Sequence, residues 1–192
     1  MVSPEEPQSR RQLAVDLADL ALALAFEDAS GEISHYLDLE TGAVIVVTDK
    51  VHRELERIYA EVAGDGGIDP TWFAEALARR QLPGWRAEAL HEADQVEEGF
   101  GTRYVRVPGA DSREGYRDME AFIDTIRSPG LQERLADAIR GRGAFRRFKD
   151  ALARYPSERA RWFAFRDARL RERILSWLVE EEIEPVLGER SP

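Results

Sequence analysis

Hydrophobic residues recur along this chain with two periods, and the switches between them divide it into elements. Leu13, Leu17, Leu20 and Leu24 repeat at helical spacing. Ser9 and Gln12 stand before them at capping-box spacing, so a helix is expected from Ser9 to the Ala29-Ser30-Gly31 break. Residues 1–8 read as a frayed tail. Over 33–48 the period drops to two: Ile33, His35, Leu37 and Leu39 share one face, and Ser34, Tyr36 and Asp38 the other. Gly42, after Glu40 and Thr41, supplies the positive φ of a hairpin turn. The returning run, 43–47, is apolar on both faces and needs cover on both sides. A hairpin alone is marginal in water, and 104–108 (YVRVP), ending at proline, supplies a third, edge strand.

Elsewhere the spacing is helical. Asp49 caps a stripe of Val51, Leu55, Ile58 and Val62, and Gly64 to Gly67 breaks it. Asp69-Pro70 starts a helix carrying Trp72, Phe73, Ala76 and Leu77, and the Ala- and Glu-rich run 85–98 is a further helix. Beyond Ser112 four stripes follow: Met119, Phe122, Ile123, Ile126; then Leu131, Leu135, Ile139; then Phe145, Phe148, Leu152; then Trp162, Phe163, Leu170, Ile174, Trp177, Leu178. Ser157 is expected to cap the last helix, with Pro156 just outside it, and the helix to run out near Pro185. The expectation is one α+β domain over 1–192. A small antiparallel sheet, hairpin plus third strand, packs with an N-terminal helix and a C-terminal array of four helices, and 60–101 forms a helical insertion.

Charge divides the chain differently. Residues 140–173 carry 12 Lys+Arg against 4 Asp+Glu, while the whole chain of 192 residues is −10, which leaves −18 for the rest. Arg142, Arg146 and Lys149 align at i, i+4, i+7; Arg159, Arg166 and Arg173 recur every seventh residue with Arg169 beside them. Two guanidinium-rich ridges suit carboxylate or phosphate recognition. The plainer reading is solvated helix faces paired with the acidic remainder. Phe145, Phe148, Phe163 and Trp177 are placed on the inward stripe, where no base could stack on them, and this weighs against nucleic acid.

Other chemistry is thin. Without cysteine there is no disulfide, thiolate zinc site, iron–sulfur cluster or cysteine nucleophile. His35, His52 and Asp49 could meet at the hairpin base as a two-His-one-carboxylate set, but His35 reads better as a core residue. Asp38 and Glu40 read as a solvent face, Asp118 and Glu120 as the outer face of a helix. Gly141-Arg142-Gly143 is either an anion nest or, more plainly, a tight helix–helix corner. No cofactor or metal is implied. The apolar stretch 13–26 is interrupted by Asp16 and Asp19 and too short to span a bilayer; Pro4, Glu5 and Glu6 make a poor signal-peptide start. A cytoplasmic protein with no membrane partner is expected.

YLDLETGAV, YVRVP, YRDMEAFIDTI, GRGAFRRFKDAL, RWFAFRDARLRERILSWL and IEP occur in that order. Together they resemble a bacterial protein family of unknown function, marked by a GAFRRFK…WF.F…WL signature. Relatives there tend to have glycine before the isoleucine, where this chain has Glu182 before Ile183. The resemblance carries no chemistry with it. The preferred reading is a non-catalytic binding or regulatory protein that meets an acidic protein partner with its arginine ridges. The alternative is a nucleic-acid-associated protein using the same surface, and a second alternative is an enzyme whose site no motif reveals.

Overall fold

The computed structural model of the chain describes residues 10–25, 32–62 and 72–186. The expected tail, the cap at Ser9, the Ala29-Ser30-Gly31 break and the Gly64 to Pro70 joint lie outside them. The described residues form two small sheets and eight helices.

The expected first helix divides in two. Arg11–Ala14 is a strand, β1, and α1 spans Leu17–Ala25. The period of two wins locally because Leu13 and Val15 are buried while Gln12 and Ala14 are exposed. The cap is Asp16, whose carboxylate accepts from the Ala18 N–H at 2.7 Å. β1 pairs in parallel with a strand the sequence did not announce, made by the last described residues of the chain, with Leu13 opposite Pro185.

The second sheet is the expected one. β2 (Ile33–Asp38) lies between β3 (Val44–Thr48) and β4 (Tyr104–Arg106), all antiparallel. Tyr36 stands between Ile45 and Arg106 in the register. Gly42 turns the hairpin at φ 76° and sits hard against β1: a Cβ there would come 1.8 Å from the Ala14 carbonyl oxygen. Only glycine satisfies both the angle and the approach.

Each sheet face has its own cover. On one, Leu37 packs with Leu20 and Leu24 of α1 and with Ile174, Trp177 and Leu178 near the C-terminus. On the other, Tyr36, Ile45 and Val47 pack against α2 (Asp49–Val62), α3 (Trp72–Arg80) and α4 (Gly84–Gly99), through Leu55, Ile58, Phe73 and Leu90. The helices within 60–101 thus supply the second cover that the all-apolar β3 requires.

A third core belongs to α5 (Ser112–Asp124), α6 (Pro129–Ile139), α7 (Ala144–Leu152) and α8 (Pro156–Glu180). Its centre is aromatic: the Phe148 and Trp162 ring centroids are 4.9 Å apart, and Phe122 and Trp162 5.3 Å, both edge-on. α8 begins with Pro156 as its first residue and Tyr155 as cap, so Ser157 lies inside the helix. Proline is favoured there because its missing N–H would have no helical partner anyway. With 25 residues α8 is about 37 Å long. Trp162 near one end serves the helical core, Ile174 to Leu178 near the other serve the sheet, and the helix joins the two. It stops at Glu182, which adopts φ 58° before Ile183–Val186 (β5).

Candidate functional site

The charged ridges are sorted by one buried carboxylate. Asp118 falls on the apolar stripe of α5, four residues before Phe122, and is 2 % exposed. It was expected on the outer face, where only Glu120 is found. A carboxylate that deep requires cationic partners, and α8 provides two, one turn apart. Arg169 Nε donates to Asp118 Oδ1 at 3.2 Å, and Arg173 Nη2 donates to Oδ2. Arg173 Nε lies 3.1 Å from Glu114 Oε2, and Arg169 Nη1 lies 2.8 Å from Glu172. Charges therefore alternate along Glu114, Arg173, Asp118, Arg169 and Glu172. The hydrogen bond to Asp118 raises the Arg169 pKa further above its already high value.

Beside this chain of charges lies a cavity of about 300 Å³ between α5, α7 and α8. Phe145, Trp162, Leu170 and Leu24 give it apolar walls, and Lys149 and Arg166 line it as cations. Gly115 lets the walls close up: a Cβ there would meet the Phe145 ring at 3.0 Å. A shallower depression of about 560 Å³ continues past Asp118 and Arg173 toward Ser176 and Glu180.

The seven basic residues singled out in the sequence fall into two groups. Arg169 and Arg173 are tied to the buried Asp118, Arg173 half-buried and Arg169 still exposed. Arg142, Arg146, Lys149, Arg159 and Arg166 are exposed. Arg146 has a 3.8 Å contact with Asp150, both side chains almost fully in solvent, which is worth next to nothing. Arg166 holds its neighbour Asp167 at 2.9 Å. Arg159 and Arg166 also stand about one turn before and one turn after Phe163, 5.5 and 5.4 Å from its ring centroid.

Phe163 corrects an expectation. It is 38 % exposed, while Trp162 is buried and Phe165 half-buried. With 100° per residue, Trp162 and Phe165 can share the inward face of α8, and Phe163 between them cannot.

Arg147 was passed over in the sequence and holds the α6–α7 corner. Its Nε donates to the Ala138 carbonyl at 2.9 Å, and its two Nη groups reach the carbonyls of Arg140, Gly141 and Arg142. Gly141 and Gly143 adopt φ of 76° and 79°. The Gly-Arg-Gly turn thus aims carbonyls at a cation rather than N–H groups at an anion, so it is a corner. The signal was available: an arginine in the first turn of the following helix can reach back to the orphan carbonyls at a helix C-terminus.

Asp38 is likewise buried, at 3 %, and not on a solvent face. Arg103 grips it with Nε at 3.2 Å and Nη2 at 2.8 Å, and the Glu40 N–H adds 2.8 Å. Burial alone would raise its pKa; these hydrogen bonds outweigh burial and hold it at about 2. His52 lies 3.4 Å from Glu56, and burial lowers the His35 pKa. Among the described residues no three His, Asp or Glu side chains converge as a metal site, and no helix is long and apolar enough to cross a membrane.

A model of the uncharacterised protein family UPF0158 matches residues 87–191, more than half of the chain. That span runs from α4 to the C-terminus and includes the whole α5–α8 array. A relative, UPF0158 protein PA5073 from Pseudomonas aeruginosa, is 27% identical over 175 residues, covering 91% of this chain and 88% of its own. No solved structure matches. The chain belongs to the UPF0158 family.

Proposed function

We propose that this UPF0158 chain is a non-catalytic, cytoplasmic binding protein that holds an acidic segment of a partner protein against α7 and α8. One observation carries the reading. Within a chain of net charge −10, the fold ties Arg169 and Arg173 to the buried Asp118 and leaves Arg142, Arg146, Lys149, Arg159 and Arg166 exposed without a buried carboxylate as partner. Cations that only served the fold would be expected to meet the acidic remainder as those two do. An exposed phenylalanine between two guanidinium groups is also the residue mixture that concentrates binding energy at protein interfaces.

The exposure of Phe163 favours a second reading. An exposed ring flanked by arginines is a stacking platform for a base, so single-stranded nucleic acid is the alternative. Against it stand the single ring and the net negative charge, which opposes a phosphate backbone.

Fluorescence anisotropy separates the two. A labelled polyglutamate peptide and a labelled single-stranded oligonucleotide are titrated with the full chain at low and moderate salt. Saturable, salt-sensitive peptide binding that is lost in Lys149→Glu/Arg166→Glu is the expected result. Preferential oligonucleotide binding that Phe163→Ala weakens would establish the alternative, and no binding by either probe would overturn both.

A further inference from the structure

We infer that the partner's acidic segment carries one apolar side chain, seated in the cavity between α5, α7 and α8, with carboxylates on either side of it. The inference rests on the acidic-partner reading and specifies the partner's chemistry.

The cavity has the shape of an anchor site. Its volume, about 300 Å³, equals the liquid share of roughly ten water molecules. Those waters would face the rings of Phe145 and Trp162 and the side chain of Leu170, so an apolar group that displaces them gains the hydrophobic free energy of the buried surface. Gly115 keeps α5 close enough to Phe145 to define this wall.

The polar groups around it are unequally engaged. On the α5 side Asp118 is held by two arginines, Glu114 by Arg173, and Asp111 by the Arg113 N–H at 2.8 Å. On the α7–α8 side the Lys149 side chain makes no hydrogen bond or ion pair among the described residues, and the Arg166 side chain has only the adjacent Asp167 and the Phe163 ring. The lining carries three carboxylates, Asp111, Glu114 and Asp118, on the α5 side and the cations Lys149 and Arg166 on the α7–α8 lip, so an anion would be met on that lip.

The cations continue beyond the cavity, which points to a peptide over a small organic acid. Arg146 stands a turn before Lys149 on α7, with Arg142 at the corner behind it. Arg159 stands seven residues, roughly 10 Å, before Arg166 on α8. An extended peptide covers that distance in about three residues. Carboxylates flanking an apolar anchor would thus meet a second rank of arginines that a ligand confined to the cavity could not reach.

The test compares defined probes. Short dye-labelled peptides of aspartate and glutamate carry leucine, phenylalanine or tryptophan at the centre, and a control carries serine. At least one apolar anchor is expected to bind roughly 10-fold tighter than serine. Ala110→Trp, an exposed loop position lining the cavity, should remove that advantage by filling the cavity while leaving the serine peptide's affinity in place. Equal affinities for all four peptides would overturn the inference and leave the acidic-partner reading standing. An advantage that persists in Ala110→Trp would place the anchor elsewhere and overturn it as well. Absence of binding by every peptide would remove the underlying reading.

Discussion

Two aspartates, one in the hairpin and one on α5, are buried to the same degree and held in opposite styles. Asp38 closes the hairpin: one arginine and two turn N–H groups, from Glu40 and Thr41, satisfy it. Its surroundings are complete, and the arginine that binds it, Arg103, comes from the approach to β4. Asp118 takes no backbone donor of this kind and is held by two arginines from α8. The first arrangement fixes a turn. The second fastens one helix to another and commits two cations of α8 to a buried carboxylate. The difference separates basic residues held by a buried carboxylate from those that are not, although the sequence presents them as one block.

The largest effect is expected from stripping the second site. Arg169→Met/Arg173→Met leaves Asp118 buried without a cation and should cost about 3–5 kcal/mol in urea unfolding. Adding Asp118→Leu should recover most of that loss, because an apolar trio can replace a buried ionic one. If the triple variant were no better than the double, burial of an unpaired charge would not be the cause.

The first site should announce itself through pH. Asp38 has a folded pKa of about 2, well below the ordinary aspartate value. The stability it contributes is present in full above about pH 4 and is lost as the pH falls toward 2, on the order of 2 kcal/mol. Asp38→Asn should flatten that acid limb of the stability profile, and an unchanged limb would remove Asp38 from the account.

Arg147 offers an intermediate case, a cation satisfied by carbonyls. Arg147→Met should cost about 1–2 kcal/mol of thermal stability, and Arg147→Lys should restore little, since an ammonium cannot reproduce the planar fork. A full rescue by lysine would mean that charge alone matters there. Smaller still, Glu182→Gly should stabilise the chain by about 1 kcal/mol, because glycine adopts φ 58° without the steric cost that glutamate bears.

Periodicity made the hairpin, its third strand and the four C-terminal helices legible, because each buries one continuous stripe. It failed where pairing is non-local. β1 and β5 are four residues each and 172 positions apart in register, and nothing within either segment announces the other. Leu13 fitted a helical repeat and an alternating one equally well until its partner strand was known. The candidate site was legible as a basic block but not as a sorted one. Asp118 stands at core spacing with Phe122, a signal that its carboxylate chemistry masks, since an unpartnered carboxylate belongs in water. Phe163 was misplaced for the converse reason: an aromatic residue was assumed to face the core, although Trp162 and Phe165 already occupied that face.

Melting temperatures of Lys149→Glu/Arg166→Glu and Arg169→Glu/Arg173→Glu, taken side by side with the unmodified chain, test the division most directly. Both variants make the same change in net charge. The first is expected to melt with the unmodified chain, within about 0.5 kcal/mol, and the second to melt far below it or fail to fold. Equal losses in the two would contradict the account, since all four cations would then belong to the fold.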